Sequence, residues 1–162
     1  MCNENLIASK VADLLIQRGW HISFAESCTG GLCCGALVDV PDASKVLDMS
    51  FVTYADFAKE RLIGVSADTI AKYGVVSEEV AYEMSIGAAK TAQCEVGVGI
   101  TGIAGPTGAT KNKPVGMVCF GFNISGKVFS FTQYFGEIGR NNVRRKSVEF
   151  VYEKLAELIL NS

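Results

Sequence analysis

Three residues with a hydroxyl or thiol stand in a row at Ser27-Cys28-Thr29, directly before Gly30-Gly31. Upstream, Trp20, Ile22 and Phe24 alternate with His21, Ser23 and Ala25, which predicts a strand ending near Glu26. Downstream, Leu32 to Val38 reads as a short apolar helix ended by Pro41. A strand–turn–helix of this kind can hold a nucleophile at its tip. The helix start offers free N–H groups to an anion or a developing oxyanion. Ser27, Cys28 or Thr29 could attack a carbonyl, and Cys28 is intrinsically the strongest nucleophile of the three. The sole histidine, His21, falls inside the predicted strand, which leaves a Cys–His pair unsupported. Ser27 or Thr29 could equally do no more than cap the helix.

A second reactive segment is Tyr54-Ala55-Asp56-Phe57-Ala58-Lys59. It starts where a second strand, Met49 to Ala55, should end, and it runs into a helix. A lysine can take a proton from serine if burial lowers its pKa far enough. The plain alternative is a solvated helix lysine. The third segment is Ile100-Thr101-Gly102-Ile103-Ala104-Gly105-Pro106-Thr107-Gly108, whose glycines allow close approach of backbone to a ligand or a cradle for phosphate.

The remaining pattern supplies the elements that must position these segments. Leu6, Ile7, Val11, Leu14 and Leu15 recur at helical spacing and Gly19 stops the helix. Ser66 and Ser77 read as helix N-caps, with Glu78 and Glu79 in the first turn of the second helix and Gly74 closing the first. Val96, Val98 and Ile100 form a third strand, and Gly102 to Pro114 a loop. Val115 to Asn123 and Lys127 to Phe135 read as a hairpin around Ile124-Ser125-Gly126. A last helix runs from about Asn142, with Val148, Val151, Leu155, Leu158 and Ile159 on one face. Helices alternating with strands, then a late hairpin, predict an α/β fold: a three-layer α/β/α sandwich with a mixed sheet of about five strands, in one domain across 1–162. All three reactive segments then lie at strand ends, where open α/β sheets bind ligands.

Composition narrows the function. The 162 residues are 49 % hydrophobic and 20 % charged, which excludes a disordered chain. Fifteen basic residues oppose 17 acidic ones, a net charge of −2, so a nucleic-acid partner is not expected. No apolar run reaches 18 residues, which argues against a membrane span. Met1-Cys2-Asn3-Glu4-Asn5 lacks the basic start of an export signal, so the six cysteines are expected as thiols in the cytoplasm. With no CxxC pair and one histidine, no metal site and no cofactor is expected.

Taken together, AESCTGG at 25–31, FVTY at 51–54 with Lys59 following, GVVS at 74–77, TGIAGPTG at 101–108 and KPVG at 113–116 resemble the C-terminal domain family of the competence- and damage-inducible protein CinA. The resemblance covers nearly the whole chain and is to the standalone form of the domain. Active members are nicotinamide-nucleotide amidases, so it implies hydrolysis of the carboxamide of nicotinamide mononucleotide to nicotinate mononucleotide and ammonia, in NAD recycling. It implies Ser27 as nucleophile and Lys59 as general base. Tyr54, Thr29, Gly30, Gly31, Thr101, Gly102, Gly105 and Arg140 are implied to bind substrate. A homo-oligomer is the expected assembly. Arg140 is the side chain expected to offset the substrate phosphate, because its fork matches phosphate oxygens. Here Ile138-Gly139 precedes Arg140 where the family has Gly-Asp. That departure supports a competing reading, a catalytically weak or inactive nucleotide- or phosphate-binding paralogue of the same fold.

Overall fold

A computed structural model describes residues 3–162, with side chains from Leu6 onward. Met1 and Cys2 lie outside the described residues, and with them the reading of Cys2 as a thiol. The elements run α1 (Asn3–Arg18), β1 (Ile22–Glu26), α2 (Leu32–Val38), β2 (Phe51–Val52), α3 (Asp56–Ile63), α4 (Ala67–Tyr73), α5 (Glu78–Ala92), β3 (Val96–Gly102), β4 (Met117–Ile124), β5 (Lys127–Tyr134) and α6 (Arg140–Leu160). The sheet order is β2-β1-β3-β4-β5. β1 pairs in parallel with β2 and β3, while β4 is antiparallel to β3 and β5. The sheet is therefore mixed, as the sequence pattern predicts.

One face of the sheet carries α1, α2 and α6. Phe24, Val98, Phe120 and Phe122 point into that layer against Val11, Leu15, Leu37, Val151 and Leu155. Burying each such side chain contributes about 1.5–3 kcal/mol, so this layer holds most of the core energy. The Tyr152 hydroxyl donates to the Cys33 carbonyl at 2.7 Å and ties α6 to α2. The other face carries α3, α4 and α5 over a smaller core that includes Ala25, Ile63, Val80 and Met84. Here α5 lies directly on the sheet. A Cβ at Gly97 would overlap the Ser85 carbonyl, and one at Gly99 or Gly121 would overlap that of Ala81. The alternating Val-Gly-Val-Gly of β3 thus puts bulk on one face and helix backbone on the other.

Several boundaries differ from the sequence reading. Trp20 and His21 precede β1. The Trp20 N–H instead closes α1 on the Leu15 carbonyl at 3.0 Å, with Gly19 in the left-handed region. Met49 to Ala55 contains a strand of only two residues, because the edge of β1 is served otherwise. The Ser50 hydroxyl accepts from the Phe24 N–H at 3.1 Å, and Leu47 bridges Ile22. β4 begins at Met117, after Val115. α6 begins at Arg140, two residues before Asn142, because its N-cap Gly139 carries no side chain to signal the start. The Ser66 and Ser77 caps are observed, accepting from Thr69 and Val80 N–H groups. The hairpin turns on Ser125-Gly126, both at positive φ.

Chain direction fixes where a ligand can enter. β1 leads through α2 to β2 over one face, and β2 leads through α3, α4 and α5 to β3 over the other. The chain therefore departs to opposite faces at the carboxyl ends of β1 and β2, which opens a crevice there beside the end of β3.

Candidate active site

Ser27 is the first residue past β1. Its N–H continues the sheet ladder to the Ile100 carbonyl at 3.0 Å, and its own carbonyl accepts from the Gly30 N–H at 3.1 Å. Gly30 and Gly31 both have positive φ, 61° and 95°, a pairing that side-chain-bearing residues adopt only with strain. The turn therefore lifts Ser27 out of the strand and starts α2 within four residues.

Neither Ser27 nor Thr29 caps that helix. The cap is Glu26, which is 1 % exposed. Its carboxylate reaches past the turn and accepts from the N–H groups of Gly31 at 3.0 Å, Cys33 at 3.1 Å and Cys34 at 2.8 Å. The N–H groups that the sequence offered to an external anion are thus occupied by the chain's own carboxylate. No simple signal gives this away, because Glu26 reads as the last residue of a strand. Its backbone carbonyl also accepts from the Thr53 N–H at 2.8 Å, so one residue fixes both the turn and the start of the Tyr54 segment. Glu26→Ala takes the acceptor from one buried and two part-buried N–H donors, at a cost of about 1–3 kcal/mol for each that stays unpaired. A loss of about 3 kcal/mol or more is expected in urea unfolding. A loss under about 1 kcal/mol would show that water replaces the carboxylate freely.

Arg144 clasps the turn from outside. Its guanidinium donates to the Cys28 carbonyl at 3.1 Å and the Thr29 carbonyl at 2.9 Å. Sequence reasoning assigned Arg144 no role, although it lies one helical turn past Arg140.

Lys59 is fully buried on α3, so the solvated-helix reading does not hold. Its Nζ donates to the Thr53 carbonyl at 2.7 Å, the Tyr54 carbonyl at 3.4 Å and the Ser27 Oγ at 3.3 Å. No ion pair to Lys59 occurs among the described residues. Burial pulls its pKa down, opposed by the weaker influence of Asp56 and Cys28. In the neutral amine two N–H bonds can stay on the two carbonyls, which turns the lone pair toward Ser27. Cys28, by contrast, is buried, and its thiol is pushed up to about 12 by desolvation. It is a poor candidate for a thiolate.

Ser27, Cys28, Tyr54, Asp56, Lys59, Val75, Val76, Thr101, Gly102, Ala104 and Arg140 line one cleft of about 200 Å³. Thr101 donates its hydroxyl proton to the Val75 carbonyl at 2.8 Å, so toward the cleft it presents an acceptor. Arg140 donates to the Gly105 carbonyl at 2.9 Å and to the Tyr54 hydroxyl at 3.0 Å. It thereby ties the third segment to the second. Arg140 opens a 21-residue helix whose first turn holds no acidic residue, so side chain and helix dipole are both positive there. A second hollow of about 240 Å³, lined by Pro106, Val115, Glu137 and Gly139, shares Ala104 and Arg140 with the cleft.

Six of the residues singled out in the sequence thus meet: Ser27, Lys59, Tyr54, Thr101, Gly102 and Arg140. Gly105 joins them through its carbonyl. Thr29 is wholly buried, Gly30 faces Arg144, and Gly31 faces a different hollow beside Leu32, Gly35 and Arg145. These three build the turn without lining the cleft. Asp56, Val75 and Val76 line it without having been singled out. His21 stands outside this cleft, half-exposed and 2.6 Å from Asp48. Cys28, Cys33, Cys34, Cys94 and Cys119 are free thiols. Among the described residues no cluster of three or more His, Cys, Asp or Glu could hold a metal. No helix among the described residues is long and apolar enough to cross a membrane.

The family described as the CinA C-terminal domain matches residues 4–159. A nicotinamide-nucleotide amidohydrolase PncC of Enterobacter agglomerans is 41 % identical over 157 residues, covering 96 % of this chain and 95 % of that protein. A CinA-like protein of Kosmotoga olearia is also 41 % identical over 157 residues, covering 97 % of this chain. This chain spans only 36 to 38 % of the length of several curated relatives it matches. Among solved structures, a CinA superfamily protein of Klebsiella pneumoniae superposes with a TM-score of 0.94 at 34 % identity, covering 99 % of this chain and all of the other. The competence/damage inducible protein CihA of Agrobacterium tumefaciens gives 0.94 at 36 % identity, covering 100 % of this chain and 98 % of that one.

Proposed function

The chain belongs to the CinA C-terminal domain family, and from that premise we propose that it hydrolyses the carboxamide of nicotinamide mononucleotide. The observation that carries this reading is the buried Lys59 amine 3.3 Å from the Ser27 hydroxyl, at the wall of a cleft. A serine with an adjacent neutral lysine is a recognised nucleophile–base pair. The relative named as a nicotinamide-nucleotide amidohydrolase, aligned over nearly its full length, supplies the substrate.

The chemistry follows from the donors. Lys59 Nζ takes the Ser27 proton as Oγ attacks the carboxamide carbon. The new Lys59 ammonium then lies beside the negative charge of the tetrahedral intermediate and stabilises it. It returns the proton to the departing nitrogen, which leaves as ammonia. The nicotinoyl ester on Ser27 is opened by water, deprotonated by the same amine, which hands that proton to the departing Ser27 Oγ as nicotinate mononucleotide leaves. Thr101 offers its free oxygen lone pair to a carboxamide N–H. The Tyr54 ring, pinned by Arg140, offers a π-face to the pyridinium. The positive start of α6 at Arg140 suits the phosphate. A nucleotide substrate goes with a cytoplasmic protein.

The deciding experiment is a coupled ammonia assay on the purified chain with nicotinamide mononucleotide. One ammonia is expected per nicotinate mononucleotide formed. Tight binding with no ammonia would sink the amidase reading in favour of a nucleotide-binding paralogue.

A further inference from the structure

We infer that Asp56 is a specificity-determining residue whose carboxylate takes the positive charge of the substrate ring, so that the cleft selects cationic pyridinium carboxamides over neutral ones. The inference rests on the amidase reading and deepens it. Asp56 is the first residue of α3 and lines the same cleft as Ser27, Lys59 and Tyr54. Its carboxylate makes no hydrogen bond and no ion pair within 4 Å among the described residues. The base three residues on, Lys59, must be neutral to act, and the other cation of α3, Arg61, lies over the Phe57 ring and makes no ion pair with Asp56. The N-terminal dipole of α3 favours an anion at this position whether or not a ligand is present. Lys59 does feel the carboxylate, which raises the lysine's pKa against the larger effect of burial. A carboxylate there works against the base, and a favourable contact with substrate would offset that cost. The substrate is bipolar, a pyridinium at one end and a phosphate at the other. The cleft is bipolar too, with Asp56 entering from α3 and Arg140 from α6. Tyr54 cannot make the discrimination alone, because its π-face accepts neutral rings as well.

The test compares two ligands that differ by one hydride on the ring, and so in ring charge: nicotinamide mononucleotide and its ring-reduced dihydro form, which is neutral at the ring and keeps the carboxamide, ribose and phosphate. Ser27→Ala serves as the host, so that neither ligand is consumed, and dissociation constants are measured by calorimetry with and without Asp56→Asn. The host is expected to bind the oxidised ligand about five-fold or more tightly than the reduced one, the size of one favourable charge contact. Asp56→Asn is expected to remove that preference by weakening the oxidised ligand alone, leaving the reduced ligand within two-fold. A host with no preference, or a variant that weakens both ligands equally, overturns the inference. Ammonia release by the wild-type chain is measured alongside. Turnover with an unchanged ligand ratio in the variant overturns Asp56 alone, whereas a wild-type chain that releases no ammonia overturns the amidase reading and this inference with it.

Discussion

Ser27→Ala is expected to fold as the native chain does and to lose ammonia release from nicotinamide mononucleotide by about 1,000-fold or more, the scale on which removal of a covalent nucleophile acts. The fold should survive because no cap and no core contact depends on the hydroxyl. Glu26 caps α2, the Ser27 backbone completes the ladder to Ile100, and Arg144 clasps the carbonyls that follow. The Lys59 amine keeps the Thr53 and Tyr54 carbonyls as partners when Oγ is gone. The neighbouring thiol gives the control. Burial pushes Cys28 up to about 12, so near pH 7 only a trace is thiolate. Cys28→Ala should keep a substantial part of the activity, reduced only by the packing lost at a buried site. Activity and thermal unfolding measured together decide the matter. Near-native turnover in Ser27→Ala, or loss confined to Cys28→Ala, would reject Ser27 as the nucleophile.

The sequence made the cleft legible through motifs more than through local physics. Taken residue by residue, Ser27 reads as a helix cap and Lys59 as a solvated lysine, since both residue types are common in those positions. What changes the reading is tertiary. Lys59 is buried because α3 packs against α5, and the carbonyls that orient its amine come from the turn five and six residues before it. The layer order and the mixed sheet were legible, because apolar alternation and helix caps are local signals. The short β2 was not, because it depends on the Ser50 hydroxyl replacing a ladder bond on β1. Glu26 was not either. A carboxylate accepting from N–H groups five, seven and eight residues ahead follows from the shape of the turn, and composition does not encode that shape. Asp56 escaped notice for a related reason. An acidic residue at a helix start is ordinary, and only the cleft it lines makes it unusual.

Replacing Lys59 should be nearly as costly as replacing Ser27, and the pH dependence of the native enzyme should say why. The ammonium form cannot accept the Ser27 proton, so only the neutral amine is active. Burial lowers the Lys59 pKa from its ordinary value of 10.5. The sign is then fixed. Well below the lowered pKa, the neutral fraction and hence kcat/KM should rise ten-fold per pH unit. The rise should end at a plateau as pH passes that pKa, below the pH at which an exposed lysine would titrate. Asp56 and Cys28 act in the opposite direction but are outweighed by desolvation. Lys59→Arg should be almost inactive at every pH in this range, because guanidinium does not give up its proton. A larger guanidinium in a fully buried site can also disturb packing, so Lys59→Met is the cleaner companion. It matches the length of the buried stem, carries no base, and should fold while losing about 100-fold or more in kcat, the scale set by removing a general base. In both variants the alkaline rise should vanish from whatever activity is left. An active Lys59→Arg enzyme, or a Lys59→Met enzyme with the native pH profile, would take the proton away from Lys59 and leave the serine to be activated by another group in the cleft.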